Sequence, residues 1–160
     1  MSEPDAVTTL PFRHYRTVEF AETDMAGIAH FANFFRWMES AENAFVRALG
    51  GQIVERVPEG FRGWPRVRAS AKFQAPVRLG DRVCVELTVA EVKDRSIDYR
   101  CTIVVEGESR VKAATGQLVV AYVEKHEADG PMRPLPLPEA LRARLEGLLA
   151  TNTSATVAEP

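Results

Sequence analysis

No apolar run in this 160-residue chain approaches the length of a membrane span. The opening residues MSEPDAVTTLPF also lack the basic and apolar regions of a secretory leader. A soluble, cytoplasmic protein with no membrane partner is therefore expected. Neither sign of charge dominates, since 20 Lys and Arg stand against 22 Asp and Glu. That balance gives no support to a nucleic-acid binder or a polybasic membrane protein, and makes any anion site a local feature. Cysteine is scarce: Cys84 and Cys101 fall on neighbouring expected strands with opposite parity, so their side chains point to opposite faces. They read as free, buried small hydrophobes. Histidine is scarce too, with only His14, His30 and His126. His14 and His126 lie near polar connectors and are expected to be exposed. Without a second His or Cys set, Glu22, Asp24 and His30 make a poor metal site, and none is expected. The G-x-S-x-G elbow that would support a Ser-His-Asp triad is missing as well.

What is present suits one globular domain, with 46% hydrophobic and 26% charged residues. Residues 13–150 carry the periodic patterns, while 1–12 and 151–160 are polar or small-residue ends expected to be flexible. A strand is expected over about Tyr15 to Ala21, with Val18 and Phe20 on one face. Phe31, Phe34, Phe35, Met38, Phe45 and Leu49 then recur at helical spacing, which predicts a helix over Ala32 to Leu49, about 27 Å long. Gly50-Gly51 closes it.

From Trp64 to Glu124 the pattern changes to strand. Val67, Ala69, Ala71 and Phe73 alternate with Arg66, Arg68, Ser70 and Lys72, and APVRLGD turns the chain. The alternations through Val83 to Val89 and Ile97 to Val105 form a hairpin around Lys93-Asp94-Arg95-Ser96. In the next strand the apolar parity shifts from Val111 and Ala113 to Ala114 and Leu118, which predicts a bulge near Ala113. Pro138 opens a short amphipathic helix with Leu141, Leu145, Leu148 and Leu149 on one side. The fold class is α+β: an antiparallel five-stranded sheet wrapped around one long central helix. One helix covers only part of such a sheet, and the strand beginning RVCVELTV offers a pairing edge, so an oligomer is expected. Residues 51–65 are expected to help shape the pocket, in a conformation that composition does not reveal.

The densest chemistry lies in FAETDMAGIAHFANFF, residues 20–35. Asp24 and Gly27 occupy the first and fourth positions of a turn, Asn33 is placed to cap the helix, and Glu22 reads as a turn or salt-bridge residue. The loop joins a strand to the N-terminus of the longest helix, where unpaired N–H groups and the helix dipole favour developing negative charge. Backbone donors near His30 and Phe31 can stabilise an oxyanion there, and Asp24 is placed to attack a carbonyl or activate water. Most of the aromatics belong to the core, with one or two near the helix start left to line an acyl pocket.

Residues 18–49, with the aspartate-centred D-x-x-G-I loop and an aromatic-rich, asparagine-containing helix start, resemble the hotdog-fold acyl-CoA thioesterases of the 4-hydroxybenzoyl-CoA thioesterase type. The resemblance implies a hotdog fold and hydrolysis of an acyl-CoA to free acid and coenzyme A. It makes Asp24 the nucleophile or general base, has Gly27 let the backbone approach the thioester, and puts the Phe31 amide in the oxyanion hole. His30 falls where members carry varied residues, and Phe34 replaces a common Tyr. Lys93, Arg95 and Ser96 fall where related enzymes bind the nucleotide, and Asn33 joins them as a substrate contact. Arg66, Arg68 and Lys72 form an alternative basic patch. A thiolate leaves readily, so no metal or redox cofactor is required. A homodimer or homotetramer is implied. The competing readings are a non-catalytic acyl-thioester binding protein and a thioesterase acting on acyl carrier protein.

Overall fold

The computed structural model describes residues 7–126 and 130–157. In chain order the elements are β1 (Phe12–Thr17), a 3-10 turn (Phe20–Glu22), α1 (Phe31–Ala48), β2 (Val54–Val57), β3 (Gly60–Gly63), β4 (Arg66–Phe73) and β5 (Arg82–Val92). They continue with β6 (Ser96–Glu106), β7 (Val111–Ala121), β8 (Val123–Lys125), β9 (Arg133–Pro134) and α2 (Glu139–Val157). The main sheet is antiparallel with strand order β1-β5-β6-β7-β4. A second sheet, β2-β3-β8-β9, has no counterpart in the sequence reading. Its strands are two to four residues long, too short for alternation to register.

Helix α1 lies across the sheet because Phe34, Trp37, Met38, Ala41 and Phe45 share one stripe, and all are buried. They meet Val83, Val85, Leu87, Ile97, Tyr99, Ile103 and Leu118, the alternating inner residues of β5, β6 and β7. Each such side chain contributes roughly 1.5–3 kcal/mol of burial. Gly50, at φ 74°, ends the helix as expected. The two cysteines are free and buried.

Three expectations change. The first strand ends at Thr17, and although Val18 is buried, Phe20 stands 80% exposed on the turn that follows. The strand beginning Arg82 offers no edge, since β5 is paired on both sides by β1 and β6. The edges are β1 and β4, and β4 is exposed along nearly its whole length. His14 is on β1 and half-buried, with Nε2 3.0 Å from Ser40 Oγ. Burial, aided by Arg16, lowers its pKa.

The bulge is where the alternation placed it. Ile103 pairs with Ala114 and Val104 with Lys112, leaving Ala113 as the extra residue, and both Ala113 and Ala114 are buried. Helix α2 packs Leu141, Leu145 and Leu148 inward, and its backbone continues helical through residues 151–157 of the expected flexible end. The expected frayed residues 1–6 and 158–160 lie outside the described residues. No helix among the described residues is long and apolar enough to cross a membrane.

Candidate active site

The loop between β1 and α1 is a small closed structure. Thr23 and Ala29 form an antiparallel bridge, and the Asp24 N–H donates to Ile28 O at 2.9 Å. Gly27 N–H returns to Asp24 O at 3.0 Å, while Asp24 Oδ1 accepts from Ala26 N–H at 2.8 Å. The Asp side chain thus holds the turn that its own position initiates. Gly27 has φ 73°, and a Cβ there would meet nothing within 4 Å. Conformation, and not crowding, calls for glycine here.

Glu22 anchors the loop from behind. Its carboxylate accepts from the Arg16 guanidinium, from Trp37 Nε1 at 2.8 Å and from Glu19 N–H at 2.9 Å. Burial pushes this carboxyl up, but the hydrogen bonds and the Arg16 charge outweigh it and hold the group below the ordinary carboxylate range. The Glu22 carbonyl accepts His30 N–H at 2.8 Å and Asn33 Nδ2 at 2.7 Å. Asn33 is buried and, in place of the expected cap, ties the loop to the helix.

His30 is the cap instead. Its Nδ1 accepts Ala32 N–H at 3.3 Å, and its ring stacks on Phe31 with centroids 4.5 Å apart. One residue later, Phe31 opens α1, where the helix itself offers its N–H no acceptor.

Asp24 and Phe31 line one cavity of about 400 Å³. Its remaining walls are apolar or aromatic apart from Gln74, and include Ile28, Phe34, Phe73, Pro76 and Val77. Phe34 meets Phe73 edge-on at 5.0 Å and Trp37 at 4.8 Å, so this wall is a packed aromatic group. Ala29 N–H donates to Val77 O at 2.7 Å and joins the catalytic-candidate loop to the segment after β4. Sequence reading missed residues 74–77: it took 75–81 as a turn and gave Gln74 no role, and nothing in their types signals a wall.

The basic turn lies elsewhere. Lys93 and Ser96 line a separate recess of about 180 Å³ with Arg68 and Asp98. Asp98 flanks Tyr99, whose side chain points toward α1, so the recess opens on the opposite face of the sheet. Arg95 is outside it and pairs with Asp94 at 3.2 Å. From α2, Arg142 holds the Lys93 and Asp94 carbonyls at 2.8 and 3.0 Å. Of the alternative basic patch, Arg66 is taken up by Glu42 and Glu39, at 2.5 and 3.3 Å.

The thioesterase superfamily matches the chain over residues 26–112. A 1,4-dihydroxy-2-naphthoyl-CoA hydrolase of Thermosynechococcus vestitus is 31% identical over 137 residues, 85% of this chain and 90% of its own length. Its counterpart in Synechocystis is 28% identical over 129 residues, 79% and 90% of the two chains. A solved 1,4-dihydroxy-2-naphthoyl-CoA thioesterase from Synechocystis superposes with a TM-score of 0.74 at 25% identity, covering 84% of this chain and 94% of that one. A gentisyl-coenzyme A thioesterase structure gives 0.70 at 26% identity, covering 83% and 98%.

Proposed function

The chain belongs to the thioesterase superfamily, with its hotdog fold, and is a thioester hydrolase; on that premise we propose that it cleaves an acyl-CoA at the mouth of the Asp24 cavity, in the manner of the 4-hydroxybenzoyl-CoA type. The observation that carries this reading is that Asp24 and the first residue of α1 line the same aromatic-walled cavity. The acyl group enters between Phe31, Phe34 and Phe73, and the thioester carbonyl oxygen receives the Phe31 N–H. That donor gains strength as the oxygen takes on charge, an effect worth about 100- to 1000-fold in rate. Asp24 either attacks the carbonyl carbon, expelling the coenzyme thiolate to leave an acyl-aspartyl anhydride that water then hydrolyses, or draws a proton from a water that attacks the carbonyl as the thiolate leaves. His30 supports the reaction by capping the helix, Gly27 by its positive φ, and Asn33 by tying the loop to α1. The aromatic wall and the naphthoyl and gentisyl substrates in the relatives' names favour an aromatic acyl group.

Asp24→Asn tests the assignment. Thiol release from an acyl-CoA panel should fall at least about 100-fold, with an unchanged circular dichroism spectrum and melting temperature. An Asp24→Asn protein as active as the parent would exclude this residue as the reacting carboxylate.

Lys93, Ser96 and Arg68 share no wall with the cavity. Arg68 and Phe73 lie toward opposite ends of β4, whose outer edge pairs with no strand among the described residues. Antiparallel pairing of β4 with the same strand of a second copy, centred near Ser70, brings one chain's Arg68 end beside the other's Phe73 end. The recess then receives the coenzyme phosphates of a substrate whose acyl group lies in the partner's cavity. In this arrangement the homodimer is the unit of catalysis, and a tetramer is a pair of such units.

A further inference from the structure

Resting on the acyl-CoA reading above, we propose that Gln74 determines acyl specificity by hydrogen-bonding a polar substituent, foremost a ring hydroxyl, on the acyl group in the Asp24 cavity. Asp24 is assigned to the thioester, and among the described residues Gln74 is the only other one lining the cavity with a polar side chain. It is exposed and shares the cavity lining with Phe31, Phe34, Phe73 and Val77. Its amide offers two donors and an acceptor, and makes no side-chain hydrogen bond among the described residues.

The backbone explains how Gln74 reaches the cavity. In a continuing strand it would point away from Phe73, which packs on Phe34. The ladder stops here, because Gln74 N–H and Ala75 N–H both donate to Ala113 O, at 2.8 and 3.1 Å. Ala113 is the bulged residue of β7, and its carbonyl gathers two successive donors. Alternation is lost, and residues 73–77 line the cavity one after another. The bulge fixes the main chain of Gln74 and leaves its side chain available to substrate.

A substrate hydroxyl ordered by this amide gains one hydrogen bond that an unsubstituted ring lacks, a preference of roughly tenfold for a partly solvated site. The test is kcat/KM for benzoyl-CoA, the three monohydroxybenzoyl-CoA isomers and hexanoyl-CoA, with the parent and with Gln74→Leu. The parent should prefer one hydroxylated isomer over benzoyl-CoA by about tenfold. Gln74→Leu should lose that preference by slowing the hydroxylated substrate alone, and Gln74→Glu, which keeps an acceptor, should retain part of it. An equal hydroxyl-to-benzoyl ratio in parent and Gln74→Leu overturns the role of Gln74 while leaving hydrolysis standing. Failure of the parent to cleave any of the thioesters overturns the acyl-CoA reading and this inference with it.

Discussion

Glu42 projects from α1 into the interior with 1% of its surface exposed, beside Arg66 at 2.5 Å and with Glu39 nearby. Burial outweighs the Arg66 charge, and the Glu39 charge adds to it, so the carboxyl is pushed up to about 7. Between pH 4.5 and 7 the folded chain therefore keeps a proton that the unfolded chain has released. Stability from this group is full below the lower value, declines as pH rises through the window, and levels off above it. Glu42→Gln should abolish this component. Melting curves of parent and variant at pH 5 and pH 8 should differ in pH dependence by on the order of 2 kcal/mol. Parallel pH dependence would show that Glu42 stays ionised throughout. Glu22 illustrates the reverse balance: similar chemistry in a better-satisfied pocket lowers the pKa. Its pairing role was readable from sequence, whereas nothing in the order of residues joined Glu42 to Arg66, 24 positions away.

The seating of α1 on the sheet depends on Gly116. A Cβ there would lie 2.2 Å from Met38 Sδ, 2.9 Å from Met38 Cε and 3.2 Å from the Ser70 carbonyl. The methionine can move, but the carbonyl belongs to the β4–β7 ladder and resists. Gly116→Ala should therefore destabilise the chain by about 1–3 kcal/mol. Because Met38 takes the nearest contact, Met38→Ala should cost less in the Gly116→Ala background than in the parent, a coupling readable by urea denaturation of the four proteins. Additive effects would mean that the sheet, and not Met38, yields. The elements themselves were largely legible: the helical stripe marked α1 to within a residue at either end, and the parity shift marked the bulge. What the bulge does at Gln74 was not legible, since it depends on a carbonyl from a strand about 40 residues away.

At the scale of the whole molecule, the cavity and the basic recess are separate features, and the proposed dimer joins them across two chains. Complementation tests this directly. Asp24→Asn and Arg68→Ala proteins, each with impaired turnover, are mixed, dissociated and reassociated. In a mixed dimer one site combines both defects, while the other holds an intact Asp24 and an intact Arg68. Random reassortment should restore about a quarter of parental activity. If cavity and recess serve one substrate within a single chain, mixing restores nothing.

By itself the sequence determined the local structure: helix and strand periods, the Asp24–Gly27 turn, and the aromatic stripe that draws α1 onto the sheet. These follow from side-chain spacing and backbone preference, which act between near neighbours. Tertiary structure decided which strands became edges, that His30 and not Asn33 caps α1, that Gln74 lines the cavity, and that Lys93 and Ser96 sit with Arg68 on the other face. Those outcomes depend on hydrogen bonds and contacts between segments distant in the chain, and they exist only once the sheet has closed around its helix.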